Sequence, residues 1–208
     1  MFLEVFSDNP YGTNCWLMSA DDSPEVLVVD PGFEPGLVRS MVAAAGRTPA
    51  AVLLTHAHLD HAEQAGAFAG ETPVMVHAAD AVAFTDPPAW NPGFANPLTP
   101  VSDLRTFEDG QRMSIAGLEL EVMHTPGHTP GHCMFRAHGV DALVLSGDLV
   151  FAGAIGRSDF PNSSPSDMRA SLLRFLALED DLPVYPGHGP TTTVMVERRS
   201  NPFLAELA

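Results

Sequence analysis

Two β-sheets with helices outside them, packed as one domain, are what this sequence predicts, and three observations carry the prediction. The chain has 208 residues, the size of an ordinary domain with room for a real hydrophobic core. Apolar residues make up 45% and charged residues 17%, a soluble globular balance that fits neither disorder nor a fibrous repeat. Short apolar runs alternate with Gly, Pro, Asn and Asp punctuation, so that strand and helix patterns are mixed along the whole length.

The first strands are expected over residues 2–6, 15–19 and 26–29, where β-formers run between turn residues. A helix over 35–45, a strand over 51–54 and a helix over 62–69 follow. A strand over 73–76 precedes a helix over 78–84. Residues 85–100 hold five prolines and two asparagines, which predicts an irregular surface loop. Four strands come next, over 112–115, 118–123, 132–136 and 142–146. Ser164 before Pro165 reads as an N-cap and a first-turn proline, opening a helix over 165–177. A strand over 183–185 and a short helix near 191–198 complete the series. Neither a repeat nor a linker divides the chain, so one domain is expected over 1–208.

Charge excludes several functions. Asp and Glu number 26 against 10 basic residues, a net charge of −16, and every basic residue is Arg. Without Lys there is no Schiff-base catalysis, no Walker-type phosphate loop and no Lys general base. The acid excess argues against nucleic acid and against anionic membrane, because both need a basic surface. No run of about 18 apolar residues and no signal segment is present, so the expected place is the cytoplasm. Cys15 and Cys133 make no short metal or redox spacing and are expected as free buried thiols.

The histidines carry the chemistry. Directly after the apolar run Val52-Leu53-Leu54 comes Thr55-His56-Ala57-His58-Leu59-Asp60-His61. Residues two apart in an extended segment point the same way, so His56 and His58 can grip one ion, while Asp60 and His61 turn toward a neighbouring position. Three further sites share one design: His128 behind Pro126-Gly127, Asp148 behind Gly147, and His188 behind Pro186-Gly187. Each stands just beyond a predicted strand end, after a Gly that permits a sharp turn. Five His and two Asp are what two adjacent divalent ions need while keeping positions open for water. A nitrogen and oxygen set suits Zn, Fe or Mn without choosing among them; zinc is put first.

His-Ala-His-Leu-Asp-His at 56–61, with His128, Asp148 and His188, resembles the metallo-β-lactamase superfamily. Thr-Pro-Gly-His-Thr-Pro-Gly-His at 125–132, Gly-Arg-Ser-Asp-Phe-Pro at 156–161, Pro-Gly-His-Gly-Pro at 186–190 and Asn-Pro-Phe-Leu at 201–204 narrow the resemblance to short glyoxalase II-like hydrolases. The resemblance implies an αββα sandwich with the metals at one edge between the sheets. It implies that His56, His58 and His128 hold one ion, that Asp60, His61 and His188 hold the second, and that Asp148 bridges both. The implied reaction is hydrolysis of a small acyl thioester such as S-lactoylglutathione by a metal-bridging hydroxide, with Asp60 taking the remaining proton. A thiolate leaves without a strong acid, which suits motifs with no spare Lys or Tyr beside them. An amide such as a β-lactam makes heavier demands and ranks low. In glutathione-specific enzymes a basic residue nine positions after the bridging Asp contacts the substrate carboxylate; Arg157 stands there, with Asp159 where those enzymes have an aromatic residue. Those enzymes also add a C-terminal helical domain, whereas only 20 residues follow His188.

The rival resemblance is to persulfide dioxygenases, which share the Gly-Arg-(Ser/Thr)-Asp-Phe stretch and would place one iron on His56, His128 and Asp148. They differ where this chain has His132 and Gly-His-Gly-Pro at 187–190. His132 is read as a hydrogen-bonded structural residue, and His77, His124 and His138 as structural. Asp30 either orients a ligand or starts a turn before Pro31, and Arg157 either meets substrate or pairs with Asp159. Arg198 and Arg199 suit a helix C-terminus. No Gly-x-Ser-x-Gly is present, which disfavours a serine hydrolase.

Overall fold

The computed structural model describes residues 1–32, 35–68, 70, 72–90, 98–205 and 207. Among them stand two six-stranded sheets. In the first, β1 (Phe2–Phe6), β2 (Cys15–Ser19), β3 (Glu25–Val29), β4 (Thr48–Leu53), β5 (Val74–His77) and β6 (Leu104–Phe107) lie in chain order. The second is ordered β14 (Thr192–Thr193), β13 (Pro183–Pro186), β10 (Leu143–Gly147), β9 (Cys133–Ala137), β8 (Leu118–His124) and β7 (Arg112–Ile115). A ribbon of β11 (Val150–Phe151) and β12 (Ala154–Ile155) follows β10.

Side-chain alternation sorts the core into three layers. Trp16 and Met18 of β2, Leu27 and Val29 of β3, and Leu143 and Leu145 of β10 pack between the sheets with Phe107 and Phe135. The residues between them, Cys15, Leu17, Val26 and Val28, face outward against Val38 and Val42 of α1 (Pro35–Ala44) and against Ala62, Ala65 and Phe68. Val144, Met134 and Val184 likewise face Met168, Leu172 and Phe175 of α4 (Pro165–Leu176) and Val194 of α5 (Val194–Ser200). Central strands buried on both faces must read as continuous apolar runs, which is why these were visible in the sequence. The architecture is the expected αββα sandwich. Cys15 and Cys133 are free and buried on different sides of it.

Several elements differ from expectation. The helix expected over 62–69 is one α-turn, α2 (Leu59–Ala62), followed by a 3₁₀ segment, Glu63–Phe68; residue 69 lies outside the described residues. The helix expected over 78–84 is reduced to a 3₁₀ turn, Ala81–Phe84. Within the expected loop, Pro87–Trp90 form a single helical turn, α3, and residues 91–97 lie outside the described residues. Strand β6 went unseen because it is an edge strand with polar, exposed Arg105 and Thr106 at its centre. Ser164 does cap α4, its hydroxyl accepting the Asp167 N–H. Thr193 caps α5 in the same way, and α6 (Pro202–Ala205) follows. Among the described residues no helix is long and apolar enough to cross a membrane.

Parallel pairing positions the site. Strands β3 and β4 run parallel with Val29 beside Leu53, and β10 and β13 run parallel with Gly147 beside Pro186. The chain therefore leaves all four strands on the same sides, at the carboxyl ends where open α/β sheets bind ligands. Phe135 is fully buried between the sheets, edge-on to Phe107 at 5.4 Å. Truncation by Phe135→Ala is expected to lower stability by about 3–5 kcal/mol, read as a shift in the urea midpoint with unchanged slope.

Candidate metal centre

Asp30 leaves β3 with a positive φ of 49°, a conformation that Asp tolerates better than most residues. Its carboxylate turns onto the loop after β4, accepting from the Thr55 N–H at 2.8 Å and the Thr55 hydroxyl at 2.7 Å. The Thr55 oxygen lies 3.0 Å from His56 Nδ1 and so receives that proton, which leaves a lone pair on His56 Nε2. Asp30 also accepts from the His61 Nδ1–H at 2.9 Å, directing His61 Nε2 inward. Of the two readings of Asp30, the orienting one is what its carboxylate does, directly at His61 and through Thr55 at His56.

The other ligand-type groups are aimed by comparable contacts. His128 donates Nδ1–H to the Arg157 carbonyl at 2.7 Å, and its Nε2 lies 2.8 Å from His58 Nδ1. His58 is the extended residue ahead of α2, whose single turn swings Asp60 and His61 to the far side. Asp60 Oδ2 accepts from the Thr13 hydroxyl at 3.1 Å and sits 3.2 Å from His188 Nε2. Asp148 lies between, 3.3 Å from His61 Nε2 and 3.5 Å from both His128 Nε2 and His188 Nε2. The seven residues expected to meet do meet. Their atoms form three sets within 4.8 Å: His56, His58 and His128; Asp60, His61 and His188; and His56, His61 and Asp148.

Hydrogen bonding tests whether cations fit there. His56 Nε2, His58 Nε2 and Asp148 Oδ1 are buried without any hydrogen-bond partner. Buried polar atoms left without partners are costly, and two imidazole nitrogens and a carboxylate oxygen gathered in one cluster form a donor set that a cation would satisfy. The donor set fits divalent metal.

Titration differs between the sets. Burial, with His61, His58 and His128 adding to it, holds His56 well below its ordinary value, and burial pulls His58 down to about 3. Burial also works against His61, but Asp148, Asp60 and Asp30 outweigh it and raise this imidazole. His188 is likewise raised, to about 9, by Asp148 and Asp60 against its burial.

The glycines act in two ways. Gly127 and Gly147 adopt positive φ, 134° and 49°, as a sharp turn requires. Gly187 does not; it is glycine for space, since a Cβ there would fall 2.3 Å from Asp148 Oδ1 and 2.8 Å from His61 Cε1. The chain bends at Gly187 as expected, and the close approach is the further reason for glycine there.

His132 belongs to none of the three sets. Its Nε2 accepts the Asp148 N–H at 3.0 Å while Nδ1 faces Thr125, so it steadies the Asp148 backbone as a structural residue. His77 and His124 stack with centroids 4.0 Å apart, and His138 pairs with Glu121 at 2.9 Å. Arg157 makes a bidentate pair with Asp159 at 2.8 and 3.0 Å, over the Phe160 ring. A cleft of about 570 Å³ opens above the cluster, walled by Tyr11, Leu59, Phe151, Ile155 and Phe160, with Arg157 among its lining residues. Tyr11 corrects the expectation that no tyrosine stands beside the motifs; its place 45 residues before His56 gave no spacing to read. Sequence reasoning also missed Thr13, Thr55 and Asp80, common residue types whose role is set by tertiary contact alone.

The chain belongs to the metallo-beta-lactamase superfamily, whose family model matches residues 8–196. Among its relatives is the hydroxyacylglutathione hydrolase GloC of Haemophilus influenzae, 32% identical over 210 residues and covering 98% of each chain. Solved structures similar to this chain include three that bear on the site. They are the BLEG-1 B3 metallo-beta-lactamase (TM-score 0.88, 30% identical, 98% of this chain and 99% of that one) and TTHA1623 in a di-iron-bound form (0.83, 35%, 98% and 100%). The third is ETHE1 from Myxococcus xanthus (0.80, 26%, 99% and 85%).

Two outcomes are expected. Gly187→Ala should fold but weaken metal retention, measured by metal content after dialysis, because its methyl group meets Asp148 and His61. Zinc added to metal-free protein at pH 7 should release protons, since His61 and His188 are raised and ligands must be deprotonated to bind. Apparent affinity should therefore rise as pH rises through about 9, the range in which His188 gives up its proton. Calorimetry in buffers of different ionisation enthalpy reads this release directly.

Proposed function

We propose that this protein is a metal-dependent hydrolase of small acyl thioesters, of which S-lactoylglutathione is the model. The observation that supports it is the meeting of two ligand sets at Asp148 beneath an apolar cleft. Likeness to GloC over nearly the whole of both chains supports the thioester. His56, His58 and His128 would hold one ion, Asp60, His61 and His188 the other, and Asp148 both. Zinc is the metal proposed; the di-iron form of TTHA1623 makes iron the next to test, ahead of manganese. When bound, two divalent cations bring a shared water toward a pKa of about 7 and polarise a carbonyl.

The chain's own groups do the rest. Asp60, oriented by Thr13 and His188, accepts the proton of the attacking water. Leu59, Phe151, Ile155 and Phe160 seat the acyl group and exclude bulk water. A thiolate with a parent pKa of about 8.5 departs without a protein acid. Arg157 offers a guanidinium to an anionic thiol carrier, but Asp159 competes for it, so binding of the thiol half is weak.

Metal-loaded protein should hydrolyse S-lactoylglutathione with KM toward the upper end of about 1 μM to 1 mM. Arg157→Ala should raise KM more than it lowers kcat, because a remote charge contact is largely uniform binding. Two other readings have a neighbour each. No thioester turnover, with oxygen uptake on glutathione persulfide by the iron form, would favour the dioxygenase reading that the ETHE1 likeness supports. Turnover of a β-lactam in place of thioesters would favour the reading that BLEG-1 supports.

A further inference from the structure

Asp80 lies outside every ligand set, yet it is fully buried and tied to the elements that carry the first one. Its Oδ2 accepts from the Ala57 N–H at 3.0 Å and the Thr129 hydroxyl at 2.7 Å. Its Oδ1 accepts from the Gly131 N–H at 2.7 Å and the Trp90 Nε1–H at 3.1 Å. Ala57 separates His56 from His58, and Thr129 follows His128. The Trp90 ring stands edge-on to His58 with centroids 5.6 Å apart. Gly131 leaves no space for a side chain, as a Cβ there would fall 2.6 Å from Asp80 Cγ. One carboxylate thus joins three separate stretches of chain that meet around His58 and His128.

We propose that Asp80 is a positioning residue that sets the separation of His58 from His128, and so the fit of the ion held by His56, His58 and His128. The proposal rests on the two-ion reading above and not on the identity of the substrate. A peptide N–H between two ligands would otherwise turn to water; anchored to the carboxylate that holds Thr129, both histidine loops are fixed to one point. The far set is oriented differently. His61 is held by Asp30, and Asp60 by Thr13. Loss of Asp80 should therefore act on one ion.

The side-chain chemistry makes the variant specific. Asparagine keeps the shape of Asp80 but replaces one acceptor oxygen with a donor amide. Gly131 and Trp90 at Oδ1 are donors only, whereas the Thr129 hydroxyl at Oδ2 can rotate and accept. The amide of Asp80→Asn accordingly settles toward Thr129 and leaves the Ala57 N–H without a partner. Thr129→Val removes a single donor from the same carboxylate and keeps the fold.

Metal-free wild type, Asp80→Asn and Thr129→Val are titrated with Zn(II) in a calorimeter and with Co(II) by visible absorption. His128→Ala and His188→Ala serve as references for which ion is which. Wild type should bind two ions. Asp80→Asn should lose about 10- to 100-fold in affinity for the ion that His128→Ala loses, with the other unchanged. Thr129→Val should weaken the same ion by a smaller factor, and decides the matter alone if Asp80→Asn fails to fold. Equal weakening of both ions, or of neither, overturns the positioning role. A wild type that binds fewer than two ions overturns the two-ion reading and the proposal with it, whatever the variants do.

Discussion

Asp148 presents a buried carboxylate to imidazoles arriving from three different loops, Oδ1 toward His61 and Oδ2 toward His128 and His188, and much of the surrounding backbone is arranged to make that possible. A charge buried in this way is costly unless opposite charge surrounds it. Gly147 makes the turn that brings the residue in, His132 holds its N–H, and Gly187 gives up a side chain to make room for its oxygen. Gly156 approaches the Asp148 carbonyl so closely that a Cβ would lie 1.8 Å away. Parallel pairing of β10 with β13, and of β3 with β4, delivers the remaining pieces to the same edge.

The two sides of the centre are electrostatically unlike in the metal-free chain. His56 and His58 are pressed toward the neutral form by burial, so the first set offers lone pairs. His61 and His188 are held toward the protonated form by Asp60 and Asp148, so the second set balances its own carboxylates with protons. A cation entering the first set meets nitrogen ready to bind, whereas one entering the second displaces protons. The carboxylates of the second set are thus answered locally, first by protons and then, on the reading proposed, by metal.

Much of this was legible in the sequence, for physical reasons that can be named. Strands buried on both faces betray themselves as apolar runs, and β2, β3 and β10 were placed closely. The seven ligand-type residues were legible because His and Asp concentrate after strand ends, behind Pro and Gly, where packing alone would not put them. Strand β6 was not, since an edge strand with Arg105 and Thr106 needs only one apolar face. The short 3₁₀ segment Glu63–Phe68 was read as helix because Ala65 and Phe68 keep a helix-like spacing into the core. Gly66 there passes so close to Thr99 that a Cβ would overlap its side chain, a contact no local pattern encodes. Asp30, Asp80 and Thr13 escaped, wholly or in part, for the same reason. Their function is a hydrogen bond across 23 to 51 residues, and an isolated Asp or Thr carries no periodicity.

The central claim is that one carboxylate is shared by two ions. Anomalous diffraction at the zinc edge from crystals of the metal-loaded protein tests it most directly. Two peaks about 3.5–4 Å apart, one within His56, His58 and His128, one within Asp60, His61 and His188, with Asp148 reaching both, are the predicted result. A single peak at full occupancy, on either set, would contradict it.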